Sequence, residues 1–125
     1  MIDRLNWMPI FMSIKLHNRT VRNVTVIDIA GRVTLGEGST MMGKAIRELL
    51  SQGNRNIVLN LKDVSYIDSA GLGELISATV TVTNFGGTLK LVSLSKRTED
   101  LISTTKCTGI FDIYTDETVA ISGFE

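Results

Sequence analysis

Residues 56–75 read NIVLNLKDVSYIDSAGLGEL, and the spacing of their apolar residues changes part-way along. In residues 57–61 the apolar residues Ile57, Leu59 and Leu61 recur at every second position, which is the period of a β-strand. After a loop through Asp63, the spacing of apolar residues changes to that of a helix over residues 69–85, carried by Leu72, Leu75, Ile76, Thr79 and Val80. The stretch therefore predicts a strand, a short loop and a helix, which is the first half of a parallel crossover unit.

The residues before this stretch predict a hairpin and a helix. Residues 15–22 and 24–30 form two strands with a turn near Asn23, and Gly31 marks a bulge within or after the second strand. Helical spacing then runs from Ser39 to a stop at Gly53. The residues after the central helix continue the alternation, with a strand over 88–94, a helix over 96–106, a short strand within 110–114 and a short helix from 116.

The β-branched run at residues 79–83 is the one segment whose local propensity disagrees with its prediction. Alternating Thr and Val favour a strand, yet a strand of 17 residues is improbable and a helix of that length is ordinary. The element order predicts an α/β protein with a mixed, largely parallel sheet of four to five strands. Because several strands have one strongly apolar face and one mixed face, we expect the helices to pack mainly on one face.

Composition excludes several classes of function. The chain has 125 residues and a formal net charge of zero, which argues against bulk binding of nucleic acid or anionic membranes. With one cysteine, Cys107, and one histidine, His17, it offers neither an internal disulfide nor a Cys/His metal site. We expect a cytoplasmic protein without metal or cofactor, in which Cys107 is a small apolar residue and His17 an ordinary strand residue.

The first eleven residues differ from the rest of the chain. Residues 1–11, MIDRLNWMPIF, are too short and too polar for a membrane span, and Met12 begins a segment that reads like a natural start. We expect residues 1–11 to be a loosely ordered extension, or a segment that docks Trp7 and Phe11, and residues 12–125 to be one domain.

The loop Asp68-Ser69-Ala70-Gly71-Leu72-Gly73 is the candidate for chemistry. Ser69 falls at a helix N-terminus, where a phosphate on its hydroxyl would be accessible and favoured by the helix dipole. The structural alternative is that Ser69 is only an N-cap and that Gly71 and Gly73 only allow close packing. A dinucleotide loop is a poor alternative, because Ile76 stands where its third glycine is required.

The segment VSYIDSAGLGEL, with NIVLNLKD before it and TLKLVSLS after the next helix, resembles the STAS domain, and specifically the bacterial anti-sigma factor antagonists. The resemblance spans about residues 13–124 and implies a STAS-like fold. In that family the serine after the aspartate is phosphorylated by an anti-sigma serine kinase, and it corresponds to Ser69. The same resemblance implies partner binding through Asp68, Ser69, Ala70, Gly71, Leu72, Gly73 and Thr34.

Two positions depart from the family pattern. Ala70 replaces a frequent second serine, which leaves one acceptor. Thr34, in GRVTL, replaces an aspartate that many members carry, so the resemblance does not define the docking details, and Thr34 is a lesser candidate for modification.

The function implied is that of an anti-sigma factor antagonist. It is a kinase substrate and not an enzyme: unphosphorylated, it binds the kinase as a monomer or weak dimer and releases the sigma factor, and phosphate on Ser69 ends the binding. Two alternatives stay open. One is a STAS scaffold without a switch, in a signalling or transporter-associated complex. The other is an aspartyl-phosphate receiver using Asp28 and Asp63, which the leading hairpin and the missing acid pair disfavour.

Overall fold

The structure is a computed structural model that describes residues 14–124. The expected extension at residues 1–11 lies outside the described residues. Within residues 14–124, nine regular elements build the domain, in the order β1 Ile14–Val21, β2 Val24–Val33, α1 Glu37–Ser51, β3 Asn56–Ile67, α2 Ser69–Asn84, β4 Thr88–Val92, α3 Lys96–Thr104, β5 Ile113–Tyr114 and α4 Glu117–Ser122, with a 3-10 turn at Thr108–Ile110.

The five strands lie side by side in the order in which the chain makes them, β1-β2-β3-β4-β5. β1 is antiparallel to β2, as the hairpin prediction requires, and the other neighbours are parallel. Right-handed crossovers that always step in the same direction place their helices on the same face of the sheet. The prediction of helices mainly on one face is confirmed by this arrangement.

Two apolar cores lie on the two faces of the sheet. The larger core contains Ile27, Ile29, Ile57, Leu59 and Leu61, together with buried residues of α1, α2 and α3. The smaller core lies on the other face, where α4 covers the valines of β2, β3 and β4; it consists of Val24, Val26, Val58, Val92, Ala120 and Ile121. Each strand divides its residues between the cores with the period of two that the sequence predicts.

The predicted loop through Asp63 is wrong, because β3 continues to Ile67. The added residues pair with the end of β2, where Ala30 lies opposite Asp63 and Val33 opposite Ile67. Register shifts interrupt this pairing on both sides of Gly31, which has a φ of 101° and forms the bulge that the sequence predicts. Because of the bulges, the apolar residues in the last part of β3 do not follow a period of two, although the pairing with β2 continues to Ile67.

Other ends differ from prediction by one to three residues. Strand β4 ends at Val92 rather than at 94, because Ser93 has a φ of 62°. Helix α3 ends at Thr104 rather than at 106, and Lys106 also has a φ of 62°. Only Ile113–Tyr114 of the predicted last strand pairs with β4. The β-branched run in α2 is helical, as predicted.

Candidate functional site

The carboxyl ends of β2 and β3 bring two of the predicted site segments together. Thr34 follows β2 directly, and Asp68 and Ser69 follow β3 directly. The backbone N–H of Asp68 donates to the carbonyl of Val33 at 3.4 Å, so the two segments leave the sheet as neighbours. The structure therefore brings Thr34 and Ser69 to the same edge of the sheet.

Asp68 is the residue that fixes the geometry of this corner. Its side chain caps α2 by accepting from the N–H of Gly71 at 2.8 Å, and its other oxygen accepts from the N–H of Leu35 at 3.0 Å. These hydrogen bonds, first that of Gly71 and then that of Leu35, lower the pKa of the Asp68 carboxyl below its ordinary value. The carboxylate therefore ties the loop after β2 to the start of α2.

Ser69 is the first residue of α2, and it is exposed. The N-cap is Asp68, so the alternative in which Ser69 serves as the cap is wrong. Among residues 14–124 its hydroxyl makes no hydrogen bond to another residue. The oxygen is thus presented to solvent beside the positive end of a helix of 16 residues.

The other residues of the loop divide between the interior and the surface. Gly71 and Leu72 are buried, and a Cβ added to Gly71 would lie 2.0 Å from the carbonyl oxygen of Val33. Ala70 is half-buried. Gly73 is exposed, and a Cβ there would meet nothing within 4 Å. The packing explanation therefore holds for Gly71 and fails for Gly73, whose missing side chain leaves a flat exposed surface.

The exposed face of α2 carries no charge. Ser69, Gly73, Ser77 and Val80 are exposed at spacings of three and four, which places them along one side of the helix. Glu74 is the helix's one charged residue, and it is half-buried. A solvated helix face ordinarily carries charged side chains, and this face shares the lack of charge that is usual at the core of a protein interface.

Leu35 is a surface residue that the sequence reasoning missed. Its exposed fraction is 80%, and the hydrogen bond from its N–H to Asp68 holds it beside the start of α2. An apolar residue between Thr34 and Gly36, in a loop, is the signal that could have identified it. Leu35 thus adds an exposed apolar side chain across the Asp68 carboxylate from the start of α2.

The candidate residues for other chemistries are dispersed. Within residues 14–124 no group of three His, Cys, Asp or Glu side chains is placed to hold a metal ion. The Asp28 carboxylate accepts two hydrogen bonds from Arg19, at 2.7 and 3.0 Å, and Asp63 lies exposed on β3. Cys107 is half-buried against the larger core. No helix in the described part of the chain is long and apolar enough to cross a membrane.

The fold and this corner together define a class of protein: a mixed α/β domain with strands in sequential order, whose exposed serine begins the helix after the third strand. A family model described as "STAS domain" matches residues 15–120. The chain belongs to the STAS domain family, and within it to the relatives of the anti-sigma factor antagonists.

Comparisons with individual proteins agree. The chain is 32% identical over 102 residues to the anti-sigma-B factor antagonist of Bacillus subtilis, which covers 82% of this chain and 92% of that relative. A solved anti-sigma factor antagonist of Mycobacterium paratuberculosis shares the fold with a TM-score of 0.78 at 20% identity, covering 89% and 93% of the two chains. Phosphorylated SpoIIAA of Bacillus also shares the fold, with a TM-score of 0.68 at 18% identity over 89% of this chain and 100% of that chain.

Proposed function

We propose that this chain is an anti-sigma factor antagonist controlled by phosphorylation of Ser69. Unphosphorylated, it binds an anti-sigma serine kinase in the cytoplasm, as a monomer or weak dimer, and displaces the sigma factor from the kinase. The relative from Bacillus subtilis, matched over most of both chains, supports the class of function. The observation that carries the switch is the exposed, unbonded hydroxyl of Ser69 on an uncharged helix face.

In the phosphoryl transfer this chain is the substrate and the kinase is the catalyst. The hydroxyl oxygen of Ser69 forms a bond to the γ-phosphorus of the kinase's ATP, the bond from that phosphorus to the bridging oxygen breaks, and ADP leaves. A base of the kinase takes the hydroxyl proton. This chain contributes a nucleophile held in place by the Asp68 cap, and a surface on which the kinase docks.

The phosphate changes the surface where contact would be closest. It adds about −1.5 to −2 charges at pH 7, next to the Asp68 carboxylate and at the start of a helix that contains no basic residue. In an interface fitted to a neutral hydroxyl, the phosphate meets like charge and loses its hydration. We expect binding to weaken by about two to three orders of magnitude.

Thr34 is the secondary candidate for modification. It lies next to Leu35 and is half-buried, whereas Ser69 is exposed. A kinase that docks on α2 and Leu35 would meet the hydroxyl of Ser69 first. We therefore assign Thr34 to the docking surface and not to the acceptor role.

The test is to incubate the full chain with the anti-sigma serine kinase of the same organism and ATP, and to locate the product by mass spectrometry of peptides. We expect one phosphoryl group, on Ser69. Ser69→Ala should remove it, while Ser77→Ala, eight positions along the same exposed face, should leave it unchanged. A phosphoryl group on Thr34 or Ser77, or none at all, would overturn the proposal.

The scaffold alternative predicts a different set of affinities. A STAS scaffold without a switch would bind its partner equally well as Ser69→Ala and as Ser69→Asp. The antagonist should keep its affinity for the kinase as Ser69→Ala and lose much of it as Ser69→Asp.

A further inference from the structure

Two arginines and one tyrosine form a basic cluster near the carboxyl ends of β2 and β3, the edge of the sheet at which Ser69 also lies. The guanidinium carbon of Arg32 lies 5.7 Å from the ring centroid of Tyr66, and that of Arg97 lies 5.4 Å from the same centroid. Arg32 belongs to the end of β2, Tyr66 to the end of β3 and Arg97 to the first turn of α3. Three elements far apart in sequence thus bring two positive charges to one ring, which we call the Arg-Tyr-Arg cluster.

The charges of this cluster are not neutralised within the described residues. Both arginines are exposed, and no carboxylate of residues 14–124 makes an ion pair with either of them. Two like charges at one ring repel each other, and an anion between or beside them would relieve that repulsion. Stacking on a ring also leaves the in-plane N–H groups of a guanidinium free to donate to a carboxylate in pairs.

The cluster is within reach of a partner that is centred on Ser69. Tyr66 precedes Ser69 by three residues, and three residues of extended chain span at most about 11 Å. A standard interface covers about 800 Å² of each partner, which is a disc of about 16 Å radius. A contact area of that size centred on Ser69 therefore extends as far as the backbone of Tyr66, the residue that joins the two arginines.

We propose that the Arg-Tyr-Arg cluster is a docking subsite for an acidic segment of the protein partner. The uncharged face of α2 would form the centre of the interface and the cluster its charged rim, which matches the usual division of a protein interface. Strand order supports a protein over a small anion, because this sheet has no point of reversed order where a crevice for small ligands would form. The proposal rests on the proposed function for the identity of the partner.

The first experiment tests the cluster without the kinase. The full chain, labelled with nitrogen-15, is titrated with a hexaglutamate peptide and, as a control, with a hexaglutamine peptide. We expect amide shifts confined to residues around 32–35, 66–69 and 96–98 with hexaglutamate only. The double variant Arg32→Gln/Arg97→Gln should abolish them, while Lys44→Gln, exposed on α1, should leave them unchanged.

Tyr66 supplies a second control. Tyr66→Phe keeps the ring and should keep the shifts, whereas Tyr66→Leu removes the platform and should weaken binding of hexaglutamate by a few fold. Shifts elsewhere, or shifts that survive the double variant, would overturn the proposal. So would tighter binding of inorganic phosphate or ATP than of hexaglutamate at these amides.

The second experiment measures affinity for the anti-sigma serine kinase. Arg32→Glu/Arg97→Glu should weaken binding about tenfold or more, with Lys44→Glu within about twofold of the natural chain. If Ser69 is phosphorylated and the charge reversal changes nothing, the subsite is wrong and the proposed function stands. If hexaglutamate binds at the cluster and the kinase neither binds nor phosphorylates the chain, the proposed function is wrong and the acidic subsite stands.

Discussion

Gly71 and Gly73 lie two positions apart on α2 and have opposite surroundings. Gly71 lies against the end of β2, where a side chain has no room, and Gly73 is open to solvent. Glycine in a helix interior is less favourable than alanine by about 1 kcal/mol. At Gly71 this loss is offset by close packing, while at Gly73 nothing within the described residues offsets it.

This contrast gives a matched pair of substitutions. Gly73→Ala should raise the free energy of unfolding by up to about 1 kcal/mol, because it adds helix propensity without a clash. Gly71→Ala should lower it by about 2 kcal/mol or more, because the new methyl would meet the Val33 carbonyl. Urea unfolding with an unchanged slope measures both, and a loss of stability for Gly73→Ala would contradict the open surface described for it.

Asp68 provides a second prediction at the residue scale. Asp68→Ala should destabilise the domain by about 1 to 2 kcal/mol, because it removes the cap of α2. It should also free the N–H of Leu35, so hydrogen exchange at that amide should accelerate. Asp68→Asn keeps an oxygen for the cap and should cost less. Unchanged exchange at Leu35 in Asp68→Ala would contradict the tie between the two segments.

At the scale of elements, α4 is held to the sheet by polar contacts from two strands. Lys90, which is buried, donates from Nζ to the carbonyl of Ala120 at 2.8 Å and lies over the rings of Tyr114 and Phe124. Arg19, on β1, reaches Glu117 at the start of the helix. A helix of six residues does not persist alone, so these contacts and the smaller core decide whether it forms.

Lys90→Met tests the first contact. The change keeps most of the apolar volume but removes the charge-assisted hydrogen bond to Ala120 and the contacts with the rings of Tyr114 and Phe124. We expect a loss of about 1 to 2 kcal/mol and faster hydrogen exchange in α4. The control is Lys96→Met on exposed α3, which should change stability by less than about 0.5 kcal/mol. Equal stability of Lys90→Met and the natural chain would contradict this role.

The Arg19 contacts predict a dependence on pH. Hydrogen bonds from Arg19 lower the pKa of Asp28 and, with help from Asn60, that of Glu117. Because these folded-state pKa values are depressed, the stabilisation is complete above the ordinary carboxyl pKa near 4 and disappears as the pH falls through the folded-state values. These side chains are about a third exposed, so the network contributes about 1 kcal/mol.

Arg19→Met measures that contribution. Urea unfolding at pH 7 should find the variant less stable than the natural chain by about 1 kcal/mol, and the difference should shrink below about pH 4. A Lys44→Met variant, which removes an exposed charge that makes no ion pair within residues 14–124, should show no such convergence when tested in parallel. A difference that grows as the pH falls would contradict the lowered pKa values of the two carboxyl groups.

At the scale of the whole molecule, most of the fold follows from local patterns. The period of two in β2 and β3 assigns their residues correctly to the two faces, and length alone settles the β-branched run in α2 as helix. The continuation of β3 beyond Asp63 could not be predicted in this way. It depends on pairing with β2 across two bulges, which is a property of two segments and not of one.

The candidate site also has some features that can be predicted from local sequence and others that cannot. Ser69 can be found from the sequence because a serine at a helix start is a local signal. That Asp68 and not Ser69 caps the helix depends on where the helix begins to within one residue, which spacing does not determine. The Arg-Tyr-Arg cluster joins three elements and has no local signal in the sequence.

The net charge of the whole chain bears on the effect of the proposed phosphorylation. The formal charge of the chain is zero, so one phosphate at pH 7 makes it distinctly negative. The added charge stands at the centre of the surface proposed for the kinase.

The proposed switch at Ser69 is tested by the affinity of the chain for the anti-sigma serine kinase before and after phosphorylation, measured by titration calorimetry on the same preparation. We predict that phosphate on Ser69 weakens binding about a hundred- to a thousandfold. Equal affinity of the two forms, with Ser69 shown by mass spectrometry to be fully phosphorylated, would contradict the proposal that phosphorylation of Ser69 ends kinase binding.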